Sequence, residues 1–164
     1  RGMHVPKVLI LLVLSVLCAF FGAQAECKSP SASELEKRLG EIELLVKRSP
    51  DDVEARERQI STLELLGRRT EALALCEVFL KARPDRGFLW YYLGFCKFNE
   101  DKWQEALRSF DRAQNLGDIN CLGFKAFCLR KLNRHHECLE FTTKSLRQYP
   151  NVPSLYFNRA LSRQ

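Results

Sequence analysis

The stretch RGFLWYYLGFCKFNEDKWQEALRSFDRAQNLG, residues 86–117, decides the fold. Between Arg86 and Asn99 stand Phe88, Leu89, Trp90, Tyr91, Tyr92, Leu93, Phe95, Cys96 and Phe98, with hardly a polar face left. A helix on the surface of a globular protein needs one apolar stripe, not a complete coat. The surplus asks for a second neighbour or for a partner.

Self-similarity supplies the frame. Glu71-Ala72-Leu73 recurs as Glu105-Ala106-Leu107 after 34 residues and as Glu137-Cys138-Leu139 after a further 32. Pro50, Pro84 and Pro150 keep the same register, as do Ile60, Gly94, Ala126 and Ala160. A period near 34 is the mark of stacked helical hairpins.

The patterning predicts helices over residues 52–66 and 70–82, broken at Gly67 and stopped by Pro84, which has no N–H and a fixed φ. It predicts a second pair over 86–99 and 102–115, with Asp101 as N-cap and Gln104 three residues on. A third pair covers 119–132 and 135–148 up to Pro150, and a fourth begins at Val152. Upstream, residues 33–48 form a lone capping helix opened by Ser33 and Glu36. Where the helices of a hairpin cross closely only small residues fit. Gly94 opposite Ala106 and Ala126 opposite Cys138 fill that place, with Trp90, Leu93 and Phe110 as surrounding bulk. A single hairpin cannot bury its whole apolar surface, so neighbours must stack.

Trp90-x2-Leu93-Gly94, followed by Ala106, Phe110 and Ala113, together with the 34-residue period, resembles the tetratricopeptide repeat. The resemblance covers residues 51–164 and divides them into 51–84, 85–118, 119–151 and a partial 152–164. The second unit matches well. The first has Arg56 where Trp90 stands and Cys76 where Phe110 stands, and the third has Thr142 at the Phe110 place. The fold class implied is all-α: a helical-hairpin solenoid forming a right-handed superhelix behind one N-terminal capping helix.

In such arrays the first helix of each pair lines a concave groove that holds a partner's peptide or helix. By that resemblance the groove-facing residues are Phe88, Tyr91, Tyr92, Phe95 and Phe98 in the second unit and Asn120, Phe124, Phe127 and Arg130 in the third. They are Phe157 and Asn158 in the fourth and Glu54, Glu57, Arg58 and Ser61 in the first. The spacing of Phe88, Tyr91, Phe95 and Phe98, by 3, 4 and 3, independently puts these four on one helix face. Two readings of the rings stay open: an aromatic groove for an apolar or amphipathic segment, or core covered by the array itself. The carboxylate clamp of some family members falls here on Glu57, Ser61, Tyr92, Asn120 and Phe124, which cannot hold a carboxylate.

The N-terminus reads as a leader. From Met3, Lys7 precedes an apolar run over residues 8–21, short for a membrane span, and Ala23-Gln24-Ala25 gives a cleavage pattern. Residues 1–25 are therefore expected to be a signal peptide, or failing cleavage an anchor, and residues 26–50 a linker with the capping helix. The expected setting is the secretory pathway: the lumen of the endoplasmic reticulum or outside the cell. Residues ahead of Met3 and a last helical pattern running to Gln164 suggest a C-terminally incomplete chain.

Without residues 1–25 the chain has 24 basic and 20 acidic residues, a formal charge of +4, and its basic residues are spread along the chain, which fits solvated helix faces and no nucleic-acid surface. The cysteines suit buried helical positions, with Cys76–Cys96 the first disulfide to consider. His135, His136 and Cys138 lack a second ligand pair for a metal. No nucleophile elbow, phosphate-binding glycine loop or paired ligand set is present, so no catalytic residue, cofactor or metal is expected.

The leading expectation is a non-enzymatic interaction module or scaffold that binds a protein or peptide partner, with no membrane contact once the leader is removed. A luminal co-chaperone is its specific form, although no His-Pro-Asp of a J-domain occurs. The alternative is the repeat portion of a larger enzyme or of a membrane-anchored scaffold.

Overall fold

Eight helices follow one another along residues 30–163, the residues described by the computed structural model, and no strand occurs among them. They are α1 (Ala32–Arg48), α2 (Val53–Leu65), α3 (Arg69–Ala82), α4 (Gly87–Asn99), α5 (Trp103–Asn115), α6 (Cys121–Lys131), α7 (His135–Gln148) and α8 (Pro153–Leu161). Each packs on the next in chain order, and α6 also meets α4 and α8. Pairs α2–α3, α4–α5 and α6–α7 are the expected hairpins, α1 packs on α2 as the lone extra helix, and α8 packs on α6 and α7 where the fourth unit is expected. The expected leader, including residues 8–21, and Cys27 lie outside the described residues.

Each hairpin turns on one residue in left-handed conformation. Gly67 (φ 76°), Asp101 (φ 58°) and Asn133 (φ 57°) stand in the repeat register. The amide of the following residue closes back on the helix end: Arg68 N to Leu63 O at 2.9 Å, Lys102 N to Lys97 O at 3.0 Å, and Arg134 N to Leu129 O at 2.9 Å. These bonds satisfy carbonyls that a helix end leaves orphaned, and Gly, Asn and Asp tolerate the required φ best. Asp101 is thus a turn residue, not the expected N-cap. The N-cap of α5 is Lys102, which makes no side-chain cap bond. The expected start at Ser33 also shifts, because α1 begins at Ala32 and places Ser33 inside its first turn.

Between hairpins proline acts as expected. Arg83 before Pro84 and Tyr149 before Pro150 adopt nearly the same non-helical geometry, φ −133° ψ 68° and φ −129° ψ 72°. A residue before proline is pushed out of the α region by the ring, which ends α3 and α7 at equivalent places.

The core has two main parts that meet across α4. On the upstream side Leu39, Ile60, Leu63, Ala72, Cys76, Leu89 and Tyr92 are buried together. Downstream lie Ala106, Leu107, Phe110, Ala113, Cys121, Leu122, Ala126, Cys128, Leu129, Cys138, Leu146 and Leu155, with Trp90, Tyr91, Phe98 and Phe124 packed against them. Most of the second stripe of α4 is therefore packing: one side closes on the first hairpin, the other on α5 and α6.

The small residues stand at close contacts. Cys138 Sγ lies 3.3 Å from Ala126 O, as the expected pairing requires. Gly94 faces the Phe110 ring: a Cβ there would lie 2.7 Å from two ring carbons. Trp90 and Leu93 are only half-buried, unlike the fully buried Ala106, Phe110, Ala113, Ala126 and Cys138. Trp90 instead clips a loop, its Nε1 donating to Pro84 O at 2.9 Å under the Arg112 guanidinium.

Cys76, Cys96, Cys121, Cys128 and Cys138 are free, so the Cys76–Cys96 bridge is not formed. Burial pushes the Cys76, Cys121 and Cys128 thiols up to about 12 and raises those of Cys96 and Cys138. An unfolded thiol ionises near 8.5, so the fold holds these protons more tightly than the unfolded chain does. That contribution is complete below pH of about 8.5 and is lost as pH rises towards about 12. Urea midpoints under reducing conditions should therefore fall between pH of about 7.5 and about 10. A midpoint that stays level would contradict thiol burial as the cause.

Candidate functional site

Two depressions lie along the first helices, one where α1, α2 and α4 meet and one where α4, α6 and α8 meet. At the N-terminal end Arg38, Ile42, Glu54, Glu57, Arg58, Ser61, Thr62 and Phe88 line a pocket of about 290 Å³. At the C-terminal end Phe98, Asn120, Gly123, Phe124, Phe127, Ser154, Phe157 and Asn158 line one of about 270 Å³. The first is mixed in charge, the second almost wholly apolar.

The rings between the two pockets are spent on each other. Phe124 is their hub, with centroids 6.0 Å from Tyr91, 5.6 Å from Phe95, 5.2 Å from Phe98 and 5.7 Å from Phe110. Offset and edge-on pairs at such distances are favourable beyond the area they bury. Tyr91 and Phe95 are thereby half-buried against a neighbouring helix and line neither pocket.

Tyr92 departs furthest from its expected place. It is 3 % exposed within the upstream core, and its hydroxyl donates to Glu64 Oε2 at 2.7 Å. Burial first, then that bond, raises the phenol well above its ordinary range. The reason is angular: on α4 it sits beside Leu89 and Phe88, and the Phe88–Tyr92 rings stack at 6.5 Å towards α2. Glu57 likewise ties α2 to α4 by accepting from Arg86 Nε at 2.9 Å.

In the apolar pocket Phe98 and Phe127 meet at 5.1 Å, with the Arg130 guanidinium 4.8 Å from the Phe127 ring. Phe157 has no ring neighbour among the described residues and is 62 % exposed. Asn158, expected to face the groove, is buried at 3 % and lies at the pocket wall with its amide committed. Its Nδ2 donates to Ser154 O at 2.9 Å and Gly123 O at 3.4 Å, and its Oδ1 accepts from Arg130 Nε at 3.5 Å. That bridge holds α8 to α6.

Sequence reasoning missed Gly123 and Ser154 in the apolar pocket and Arg38, Ile42 and Thr62 in the mixed-charge one. Gly123 allows α6 and α8 to approach, since a Cβ there would lie 2.3 Å from Ser154 Oγ. A glycine inside a helical pattern was a usable signal, but it falls outside the small-residue register.

His136 is exposed and pairs with Glu140 at 3.2 Å, while Cys138 points into the hairpin, so the two do not converge. Among the described residues no group of His, Cys, Asp and Glu is placed to hold a metal ion. No helix of the described residues is long and apolar enough to cross a membrane.

These hairpins, stacked in chain order, define a helical-hairpin solenoid of the tetratricopeptide type. Among solved structures the chain is similar to two crystal structures of MamA, each at 18% identity. The first gives a TM-score of 0.66 and covers 79% of this chain and 77% of that one; the second gives 0.64 and covers 79% and 72%. It is also similar to MamA from residue 41 onward from Desulfovibrio magneticus RS-1, with TM-score 0.56, 16% identity, and 92% and 100% of the two chains covered. At such identities the likeness is one of fold. No family model and no curated protein matches the sequence.

Proposed function

We propose that the protein is a non-enzymatic interaction module whose first-helix face binds an apolar or amphipathic segment of a partner polypeptide. One observation carries the reading: among the described residues the apolar pocket between α4, α6 and α8 is open, walled by Phe98, Phe124 and Phe127, with Phe157 of the last described helix exposed at its edge. An exposed phenylalanine beside half-buried rings costs free energy unless something covers it, and aromatic anchors in such pockets dominate recognition. The mixed-charge pocket at Glu54, Glu57, Arg58 and Arg38 would set polar discrimination at the other end.

We place this activity in the secretory pathway, as a luminal co-chaperone that holds unfolded clients. The support is the apolar run before Ala23-Gln24-Ala25 and a pocket suited to the exposed apolar segments of such clients.

The test is fluorescence anisotropy of the full chain with apolar and amphipathic peptides. Phe127→Ala should weaken capture roughly 30-fold or more, as loss of an anchor does. Phe157→Ala should weaken it with a thermal midpoint close to that of the parent, because so exposed a ring contributes little to the fold. Unchanged capture in both variants would end the proposal.

A further inference from the structure

We propose that the segment bound at the C-terminal pocket is acidic: apolar anchors flanked by Asp or Glu. The inference rests on the groove reading above and adds the partner's charge.

Charge along the array is strongly uneven. Residues 30–118 carry 15 Lys and Arg against 17 Asp and Glu, a net of −2; residues 119–163 carry 8 against 2, a net of +6. The helices lining the apolar pocket on this side repeat the bias. Helix α6 holds Lys125, Arg130 and Lys131 and no acid, and α8 holds Arg159 and no acid. Lys125 is neutralised by Asp111 at 2.7 Å. Arg130 and Lys131 have no carboxylate partner among the described residues; both lie over rings, and Arg130 Nε also donates to Asn158 Oδ1.

Those rings belong to the pocket or adjoin it. The Arg130 guanidinium lies 4.8 Å from the Phe127 ring, and Lys131 Nζ lies 5.5 Å from Phe127 and 5.8 Å from Trp103. Cations over aromatic faces keep their charge while covering apolar surface. An apolar side chain entering beside Phe98, Phe127 and Phe157 would therefore bring its sequence neighbours against an unneutralised cationic rim. Carboxylates there complete ion pairs; lysines meet like charge. Rim charges of this kind act on partner choice and association rate more than on total affinity.

The experiment uses the full chain and three labelled peptides that share their apolar residues at helical spacing and differ in flanks: Asp/Glu, Gln, or Lys. The acidic peptide should bind at least tenfold tighter than the lysine peptide, and its affinity should fall between about 50 and about 300 mM salt. Lys131→Glu, at an exposed helix end, should weaken the acidic peptide roughly fivefold and strengthen the lysine peptide. Arg130→Gln serves as a second variant, checked by circular dichroism because Arg130 also touches Asn158. Equal binding of the three peptides, with Phe157→Ala still weakening all of them, would overturn the charge inference and leave the groove standing. Binding insensitive to both Phe127→Ala and Phe157→Ala would overturn the groove itself. Attachment to anionic phosphatidylserine vesicles with no peptide binding would overturn both.

Discussion

Phe110→Ala should destabilise the array by about 3–5 kcal/mol, the usual cost of emptying a fully buried aromatic site. Phe110 has no exposed surface. Its ring stacks on Phe124 at 5.7 Å, meets Tyr91 at 6.3 Å and lies against the backbone of Gly94. The ring therefore joins α4, α5 and α6, and these helices cannot collapse on the void without losing their own register. Native domains hold only about 5–15 kcal/mol in total, so the loss is a large share of stability. In a stack whose stability is a sum of repeats and interfaces, the loss should also uncouple the two core segments. Urea unfolding followed by circular dichroism should show a lower midpoint and a broadened or biphasic transition. A variant that unfolds in one step at the parent midpoint would refute the role of this ring.

Gly94→Val should cost about 2–3 kcal/mol for the opposite reason, overpacking. Already the first carbon of the new side chain would lie 2.7 Å from Phe110 Cδ1 and Cε1, closer than real contacts allow. The ring cannot retreat, because Phe124 and Tyr91 hold it. Even Gly94→Ala, which gains about 1 kcal/mol of helix propensity, should come out destabilising. The two positions must then be coupled. Gly94→Ala made in a Phe110→Leu background should be neutral or stabilising, with an interaction energy of about 0.5–3 kcal/mol. Simple additivity of the two changes would show that the contact is not the cause.

Much of this molecule was legible along the chain. The hairpin boundaries follow from Pro84 and Pro150, the turns from Gly67 and the repeat register, and the close crossing from Ala126 with Cys138; all act through backbone rules that reach only a few residues. The carbonyl-closing turn at Asp101 was misread as a helix start because aspartate serves both N-caps and left-handed turns. Only φ, here 58°, separates the two.

The aromatic residues mark where local reasoning stops. The run from Phe88 to Phe98 established that α4 must be covered on several sides, since so many large apolar side chains cannot stay in water. It could not say by what. Which ring is core and which is open depends on helices brought alongside by stacking: Tyr92 vanishes against α2, Phe95 against Phe124 on α6, while Phe157 is left bare among the described residues. Period and punctuation act between near neighbours in the chain and so belong to the sequence. Exposure is a property of contacts between distant segments, and the packed helices alone decided it.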